Sequence, residues 1–463
     1  MYLFRSMNIH PQASRLIDAL RQRGPASARE LGEALGVSQP TVSRLLAEAG
    51  VHIARIGRAR RTRYAALRDV RGLGTQWPLF RLDTRGQPVA FGHLTALYGA
   101  GSLVTVAHSV DWLRDEFADG LFPGVPWFLD DQRPQGFLGR QFAQRWSSEL
   151  DLPSDILRWN DDAVLAALLL RGGDGPGDFV LGDAALERAL QWEPQPITSA
   201  SRYVHYAELA RAALAGEPVG SSAAGEQPKF TATVEDEDGT VRHVIVKFSE
   251  PVDDHPAARR WADLLISEHI AGELLAGHGN PSARTELVWS QGRLCLEVSR
   301  FDRVGTYGRR GCVTLAAWSD AHDGERDDWP RATARMVQGG WLGESALDLV
   351  RQRWWFGRLI GNTDMHFGNL SFFIDGQLPF QLTPNYDMLP MLYRPGSSGA
   401  LLPRDYKPAV PTPADLPYWQ LAAEWAELYW QRVATHAEIS GGFRDLAEAN
   451  HAVVSRLRQR FTP

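Results

Sequence analysis

Asp364 and Asn369 stand five residues apart in "GNTDMHFGN", and Asp387 follows in "NYDML". Upstream, Lys247 closes the β-branched run "VIVKF", and Glu268 lies in the helical stretch after it. These residue types in this order suit transfer of a phosphoryl group from a nucleotide. That reaction needs positioning and charge neutralisation more than covalent help. A carboxylate beside the attacking hydroxyl orients it and can accept its proton, the role that fits Asp364. Asn369 and Asp387 offer the hard oxygens that Mg²⁺ prefers. Lys247 can meet the α/β-phosphates of ATP, with Glu268 holding its ammonium in place. The backbone N–H groups of "SSAAGEQPK" can cradle phosphate, and Lys229 adds charge at the end of that loop.

Each piece alone has a plainer reading. "DxHxxN" is short, His366 could be a structural histidine, "NYDML" could be a turn, and a strand lysine is usually solvated. The order is what carries weight. An Asp–Asn pair five apart, with a later metal-binding Asp and an earlier strand lysine, matches the protein-kinase part list. The lysine count points the same way. The chain has three lysines, Lys229, Lys247 and Lys407, against 46 arginines. Where any cation would serve it uses arginine, so a retained lysine marks a place for a compact ammonium.

Those residues need elements to hold them. "FTATVEDEDGTVRHVIVKFSE" predicts a hairpin turning at "EDEDG", and "RTELVWSQGRLCLEVSRFDR" another turning at "SQGR". Between them "PAARRWADLLISEHIAGELLAGHG" predicts a helix with Pro256 in its first turn and Gly277 or Gly279 as its stop. After Arg303 the pattern is mostly helical. The expected architecture is α+β, a two-lobed kinase-like body preceded by a winged helix-turn-helix. The expected segments are a DNA-binding unit at 1–70, a linker at 71–78 and an α+β subdomain at 79–215. An ATP-binding lobe at 216–300 and a helical lobe at 301–463 complete the chain. Residues 79–215 are the least informative. Their "RGGDGPGDFVLGD" could be taken for a phosphate loop, but its glycines lack the spacing, so turns are expected.

The N-terminal reading rests on pattern and charge. Ser27 and Glu30 form a capping-box signature, Gly36 permits a tight turn, and Ser38 and Pro40 open the next helix. Val42, Leu45, Leu46 and Ala49 face inward by spacing. That leaves Gln39, Thr41, Ser43 and Arg44 outward at the positions that reach base edges. "VHIARIGRARRTRYAAL" then outlines a β-wing whose Arg58, Arg60, Arg61 and Arg63 suit DNA phosphates. Positions 1–71 hold thirteen arginines and five acidic residues, a local +8, against −6 for the whole chain. A basic end on an acidic body suggests contact with nucleic acid.

Composition narrows the class further. At 463 residues and 44% hydrophobic, the chain is long enough for two or three globular domains. The longest apolar run, "AVLAALLL", is too short to span a bilayer, so no membrane partner is expected. The first residues lack the apolar core of a signal peptide. Two cysteines, Cys295 and Cys312, make neither a disulfide framework nor a zinc site, and a reducing cytoplasm fits.

Taken together, these segments resemble the HipA-type serine/threonine kinase toxins over roughly residues 79–440. "AAGEQPK" looks like that family's ATP loop, "VIVKF" carries its ATP-site lysine, and "VSRFDR" looks like the segment that meets adenine. The resemblance implies Asp364 as catalytic aspartate, with Asn369 and Asp387 as Mg²⁺ ligands. It implies Ala223, Ala224, Gly225, Glu226, Gln227, Pro228, Lys229, Lys247 and His366 around ATP, with Ser299, Arg300 and Phe301 lining the adenine pocket. It also implies autophosphorylation of a loop serine, Ser222 with Ser221 as its neighbour, which ejects the loop and silences the kinase. Ser299 departs from an acidic residue in the family, and Met365, Phe367 and Gly368 from smaller or basic ones. The fused N-terminal module resembles the YjjJ-like subgroup, in which restraint supplied elsewhere by a separate antitoxin would act in cis. The resemblance implies protein substrates in translation, such as an aminoacyl-tRNA synthetase, and leaves a homodimer open. Two other readings compete: a DNA-binding regulator whose kinase-like body senses nucleotide, and a small-molecule kinase of the same broad fold.

Overall fold

The structure is a computed structural model describing residues 10–99, 101–215, 227–396 and 398–461. The chain opens with three helices, α1 (Pro11–Arg23), α2 (Ala28–Leu35) and α3 (Gln39–Ala49), and a hairpin of β1 (Ile53–Ile56) and β2 (Arg63–Ala66). The capping box forms as expected: Ser27 Oγ accepts from Glu30 N at 3.3 Å, and Ser27 N donates to Glu30 at 2.7 Å. Ser38 departs from expectation. It stands at the N-cap of α3, but its hydroxyl bonds the Thr41 hydroxyl at 3.0 Å instead of a backbone N–H. Leu16, Leu20, Leu31, Val42 and Leu45 close a small core of their own.

This unit is welded to the middle of the chain. Leu67 bridges Leu97, Tyr98 N donates to Ala66 O at 3.0 Å, and Ile56 and Ala65 pack on Leu97 and Leu103. Only the end of the stretch expected as a linker, residues 76–78, joins a sheet; Trp77 there is buried and its indole N–H donates to Leu73 O at 2.9 Å. That sheet is built from β3 (Gln76–Leu82), β4 (Pro88–Leu97), β5 (Gly101–Val106) and β6 (Leu121–Phe122), with a later strand beyond β3. Helices α4 (Trp127–Asp130), α5 (Gly136–Leu150) and α6 (Asp161–Arg171) come next. Then β7 (Phe179–Leu181) completes the order β6-β5-β4-β3-β7, and α7 (Asp183–Gln191) packs beside it.

The small lobe contains β8 (Ile197–Thr198), α8 (Arg202–Ala215), β9 (Lys229–Glu235) and β10 (Val241–Phe248). It continues with α9 (Pro256–Gly277), β11 (Thr285–Ser290) and β12 (Arg293–Ser299), in the sheet order β11-β12-β10-β9-β8. Alternation along β10 buries Val244, Val246 and Phe248 on one face, and Lys247 points to the other. Polar contacts moor α8 to the sheet: Tyr206 donates to Glu297 at 2.5 Å, and the buried Arg202 meets Glu286 at 2.8 Å and Asp236 at 3.0 Å. The helix that leads toward the glycine-containing loop is thus fixed at its start.

The large lobe begins with short strands β13 (Arg303–Val304), β14 (Gly308–Arg309) and β15 (Cys312–Thr314). Next come α10 (Leu315–His322), α11 (Trp329–Gln338), α12 (Glu344–Ile360), β16 (Ser371–Phe373) and β17 (Gln381–Leu382), and α13 (Leu416–Thr435) and α14 (Gly441–Phe461) close the chain. The region is less purely helical than its pattern predicts, since β15, β16 and β17 pair into a small sheet beside the Asp364 segment. No described helix is long and apolar enough to cross a membrane.

One buried cation braces this arrangement. Arg353 on α12 is 1% exposed and donates to Asn280 Oδ1 at 2.6 Å and to Thr383 O and Pro281 O at 3.0 Å each. Burial pulls its pKa down to about 9. It joins the end of α9 to the segment that enters Asp387. Arg353→Met would leave three buried acceptors without their donor, and about 3 kcal/mol of stability should go with them. A urea titration would read this as a lower midpoint at unchanged slope.

Candidate functional site

Lys247 is the centre of the site. Its register partner across the β9–β10 pair is Lys229, so the first two lysines of the chain stand side by side on one sheet face. Like charges directly opposite repel unless something anionic answers them. Lys247 Nζ meets Glu268 of α9 at 2.5 Å and 2.8 Å and also touches the Asp387 carboxylate. Burial opposes the charge of Lys247, but Asp387 and Glu268 outweigh it and hold the ammonium firmly protonated. Burial pushes Glu268 up against the pull of Lys247, whereas Asp387 is held below the usual carboxylate range because Lys247 and Lys229 overcome its burial.

The opposite wall is the turn after α12. Gly361 ends that helix in a left-handed conformation (φ 77°), which turns the chain toward the cleft. Asn362 then ties two segments together: its Oδ1 accepts from Asp364 N at 3.0 Å, and its Nδ2 donates to Asp387 O at 3.3 Å. Asn369 Nδ2 donates to Asp364 O at 2.9 Å, which leaves its carbonyl oxygen for other work. The Asp364 backbone is therefore pinned on both sides, and among the described residues its carboxylate has no hydrogen-bond partner. His366 is exposed and turned inward on its own loop, its Nδ1 accepting from Gly368 N at 3.0 Å. Asp387 adopts φ 56°, an uncommon conformation for a residue with a Cβ and one that proteins concentrate at functional sites. Tyr386 before it donates to Gly368 O at 2.9 Å.

Gln227, Lys229, Lys247, Asp364, His366, Asn369 and Asp387 share one cavity of about 1170 Å³. Pro228 precedes β9 at its edge, and its carbonyl accepts from Phe248 N at 3.3 Å. Ser221, Ser222, Ala223, Ala224, Gly225 and Glu226 lie outside the described residues. The three residues expected to line an adenine pocket do not line this cavity. Ser299 accepts from Arg242 at 3.0 Å. Arg300 is committed to Asp302 at 2.9 Å and Asp174 at 3.2 Å. Phe301 packs on Tyr386, ring centres 5.5 Å apart. Adjacent charges and rings, unseen in a linear motif, claim these side chains for the joint between lobes.

Sequence reasoning missed Asn362, whose place two residues before Asp364 in "GNTD" was a readable signal. It also missed the far wall of the cavity, which the middle domain supplies through Pro134, Phe137, Leu138 and Arg140. No local pattern marks those as cleft residues.

A second candidate surface is N-terminal. Gln39, Ser43 and Arg44 are exposed on α3, and Thr41 is half-buried. Arg44 is paired with Glu48 at 2.7 Å. In the wing, the turn Ala59–Arg61 comes after an exposed Arg58, Arg61 is exposed, and Arg63 lies 3.9 Å from Asp119 of the middle domain.

Residues 7–49 match the MarR family, 73–190 match the middle domain of YjjJ-like toxins, and 221–454 match the HipA-like C-terminal domain. Toxin YjjJ of Escherichia coli K12 is 38% identical over 449 residues, 96% of this chain and 98% of that protein. This chain belongs to the YjjJ-like, HipA-type toxin family. Its family matches make the body a two-lobed kinase-like fold behind a winged helix-turn-helix. Among solved structures, Shewanella oneidensis HipA, crystallised with HipB and operator DNA, aligns with a TM-score of 0.47 at 17% identity, covering 83% of this YjjJ-like chain and 95% of that one. The Helicobacter pylori proinflammatory kinase CtkA aligns at 0.34 and 11% identity over 50% of this chain and 94% of its own.

Proposed function

We propose that the chain is an ATP- and Mg²⁺-dependent serine/threonine protein kinase acting as a toxin, with a DNA-binding module fused in cis. The supporting observation is the convergence of the Lys247–Glu268–Asp387 triad with Asp364 and Asn369 on one cavity. Lys229 and Lys247 would meet the nucleotide phosphates, and Glu268 orients Lys247. Asn369 Oδ1 and the Asp387 carboxylate are two hard oxygens, and phosphates and water would complete an octahedral shell. They fit an ion that arrives with its nucleotide, as among the described residues no group of three acidic, histidine or cysteine ligands forms a site. Bound there, Mg²⁺ would offset charge on the phosphates. Asp364, fixed along its backbone and with no partner for its carboxylate among the described residues, would orient the acceptor hydroxyl and take its proton.

A second cavity of about 600 Å³ shares Asp364 and His366 and is also lined by Arg358 and Lys407. It leaves room for a segment of a protein substrate, in keeping with a target such as an aminoacyl-tRNA synthetase or another translation component. The test is incubation of protein, first stripped of phosphate, with ATP and Mg²⁺, followed by intact-mass and phosphosite mapping. One phosphate on Ser222 or Ser221 is expected. No phosphate on protein that still binds an ATP analogue would sink the kinase reading.

For the N-terminal module, Arg61→Ala should weaken DNA binding across sequences and flatten the log-affinity versus log-salt slope by about 1. Arg44→Ala should instead cost about 1–3 kcal/mol on the cognate site and little on random DNA. Electrophoretic shifts at several salt concentrations separate the two.

A further inference from the structure

Away from the cleft, a cavity of about 230 Å³ opens where three parts of the molecule meet. The middle domain supplies Trp146, Arg171, Arg188 and Trp192, the small lobe supplies His243, and the β13–β14 turn supplies Arg303, Tyr307 and Arg309. One wall is Gly172–Gly173–Asp174, part of the glycine-rich stretch whose turns had no assigned purpose. Gly173 adopts φ 129°, which brings its carbonyl to the Arg309 guanidinium.

The ionic pairing around this cavity does not close. Arg171 is matched by Glu149. Arg300 and Arg303 share Asp302 and Asp174, two cations with two anions, at 2.5–3.2 Å. Arg188 and Arg309 are left over. Among the described residues neither has a carboxylate within ion-pair distance, and each donates only to a backbone carbonyl, Leu169 O at 3.1 Å for Arg188 and Gly173 O for Arg309. Arg188 Nε is buried without any partner, and Arg309 is only 9% exposed. Burial and the nearby Arg303 and Arg300 outweigh the pull of Asp174 and Asp302 and draw Arg309 down to about 9. A buried guanidinium out of ion-pair contact is expensive, and a fold that sets buried Arg309 and partly exposed Arg188 at the wall of one open cavity is arranged for an anion.

The rim is aromatic. Trp192 is 42% exposed and Tyr307 54%, and Trp192 lies 5.4 Å from the His243 ring. Large rings left open beside cations that lack an ion-pair partner among the described residues provide stacking faces for a planar group. We propose that this cavity binds a phosphate monoester carrying a planar ring, of mononucleotide size. The phosphate would lie on Arg188 and Arg309, and the ring against Trp192 and Tyr307. The site is separate from the catalytic cavity and stands whether or not the chain is a kinase. An occupant would bridge the middle domain, the small lobe and the segment after Ser299.

Calorimetric titration of the full chain with uridine 5′-monophosphate tests this, run with and without a saturating non-hydrolysable ATP analogue and Mg²⁺. One binding event is expected, unaffected by the analogue. Arg188→Gln and Trp192→Ala, both at partly exposed positions that should preserve the fold, should each weaken it about tenfold. Inorganic phosphate alone should bind about tenfold more weakly than the nucleotide. Four outcomes would overturn the proposal: no binding, binding unchanged in both variants, displacement by the ATP analogue, or phosphate binding as tightly as the nucleotide.

Discussion

Asp364→Ala should lower phosphoryl transfer by about 10³-fold while leaving affinity for an ATP analogue within about twofold. The expectation comes from how the residue is held. Its N–H and C=O are fixed by Asn362 and Asn369, and among the described residues its carboxylate makes no structural bond. Truncation therefore removes a reacting group without releasing the loop. Asp364→Asn sharpens the test, since an amide can still orient a hydroxyl but cannot take its proton. It should fall between wild type and alanine if orientation matters separately. Single-turnover phosphorylation with bound-nucleotide measurements gives both numbers. Loss of nucleotide binding in Asp364→Ala would instead assign the residue to the architecture. Wild type that binds ATP and DNA without transferring phosphate would favour the nucleotide-sensing regulator.

Much of this site was readable because local rules set its parts. Lys247 ends an alternating strand, Glu268 sits on the next helix, and the capping box at Ser27 forms within four residues of chain. What could not be read is long-range. The contact between Lys247 and Asp387 joins positions 140 apart. The wall contributed by Phe137 and Leu138 arises from how the middle domain docks, and no motif encodes that. The pairing of Arg300 is long-range as well. Its guanidinium pairs with Asp174 and Asp302, and Asp174 is visible only once the chain has folded. An arginine-rich sequence hides which of its many cations are partnered. The same feature concealed Arg353 as a brace and Arg188 and Arg309 as the unmatched pair.

The Lys247–Glu268 pair separates stability from chemistry. Both side chains are nearly inaccessible, 7% and 4% exposed. Lys247→Met leaves Glu268 buried without its ion-pair partner, and removing one member of such a pair costs about 3–5 kcal/mol. The variant should also lose activity, but that loss alone would not distinguish a missing phosphate contact from partial unfolding. The double variant Lys247→Met/Glu268→Leu removes both charges, and apolar replacement of a buried pair is often neutral. Asp387, with 31% of its side chain exposed, can turn to solvent or to Lys229 once Lys247 is gone. Most of the stability should return in the double variant, and phosphoryl transfer should not. Urea unfolding and phosphate transfer measured on the same preparations would show it. Recovery of activity together with stability would mean that the ammonium only holds the lobe together. A stable, inactive double variant would mean that the chain keeps its lysine here for the nucleotide and tolerates the cost of burying it.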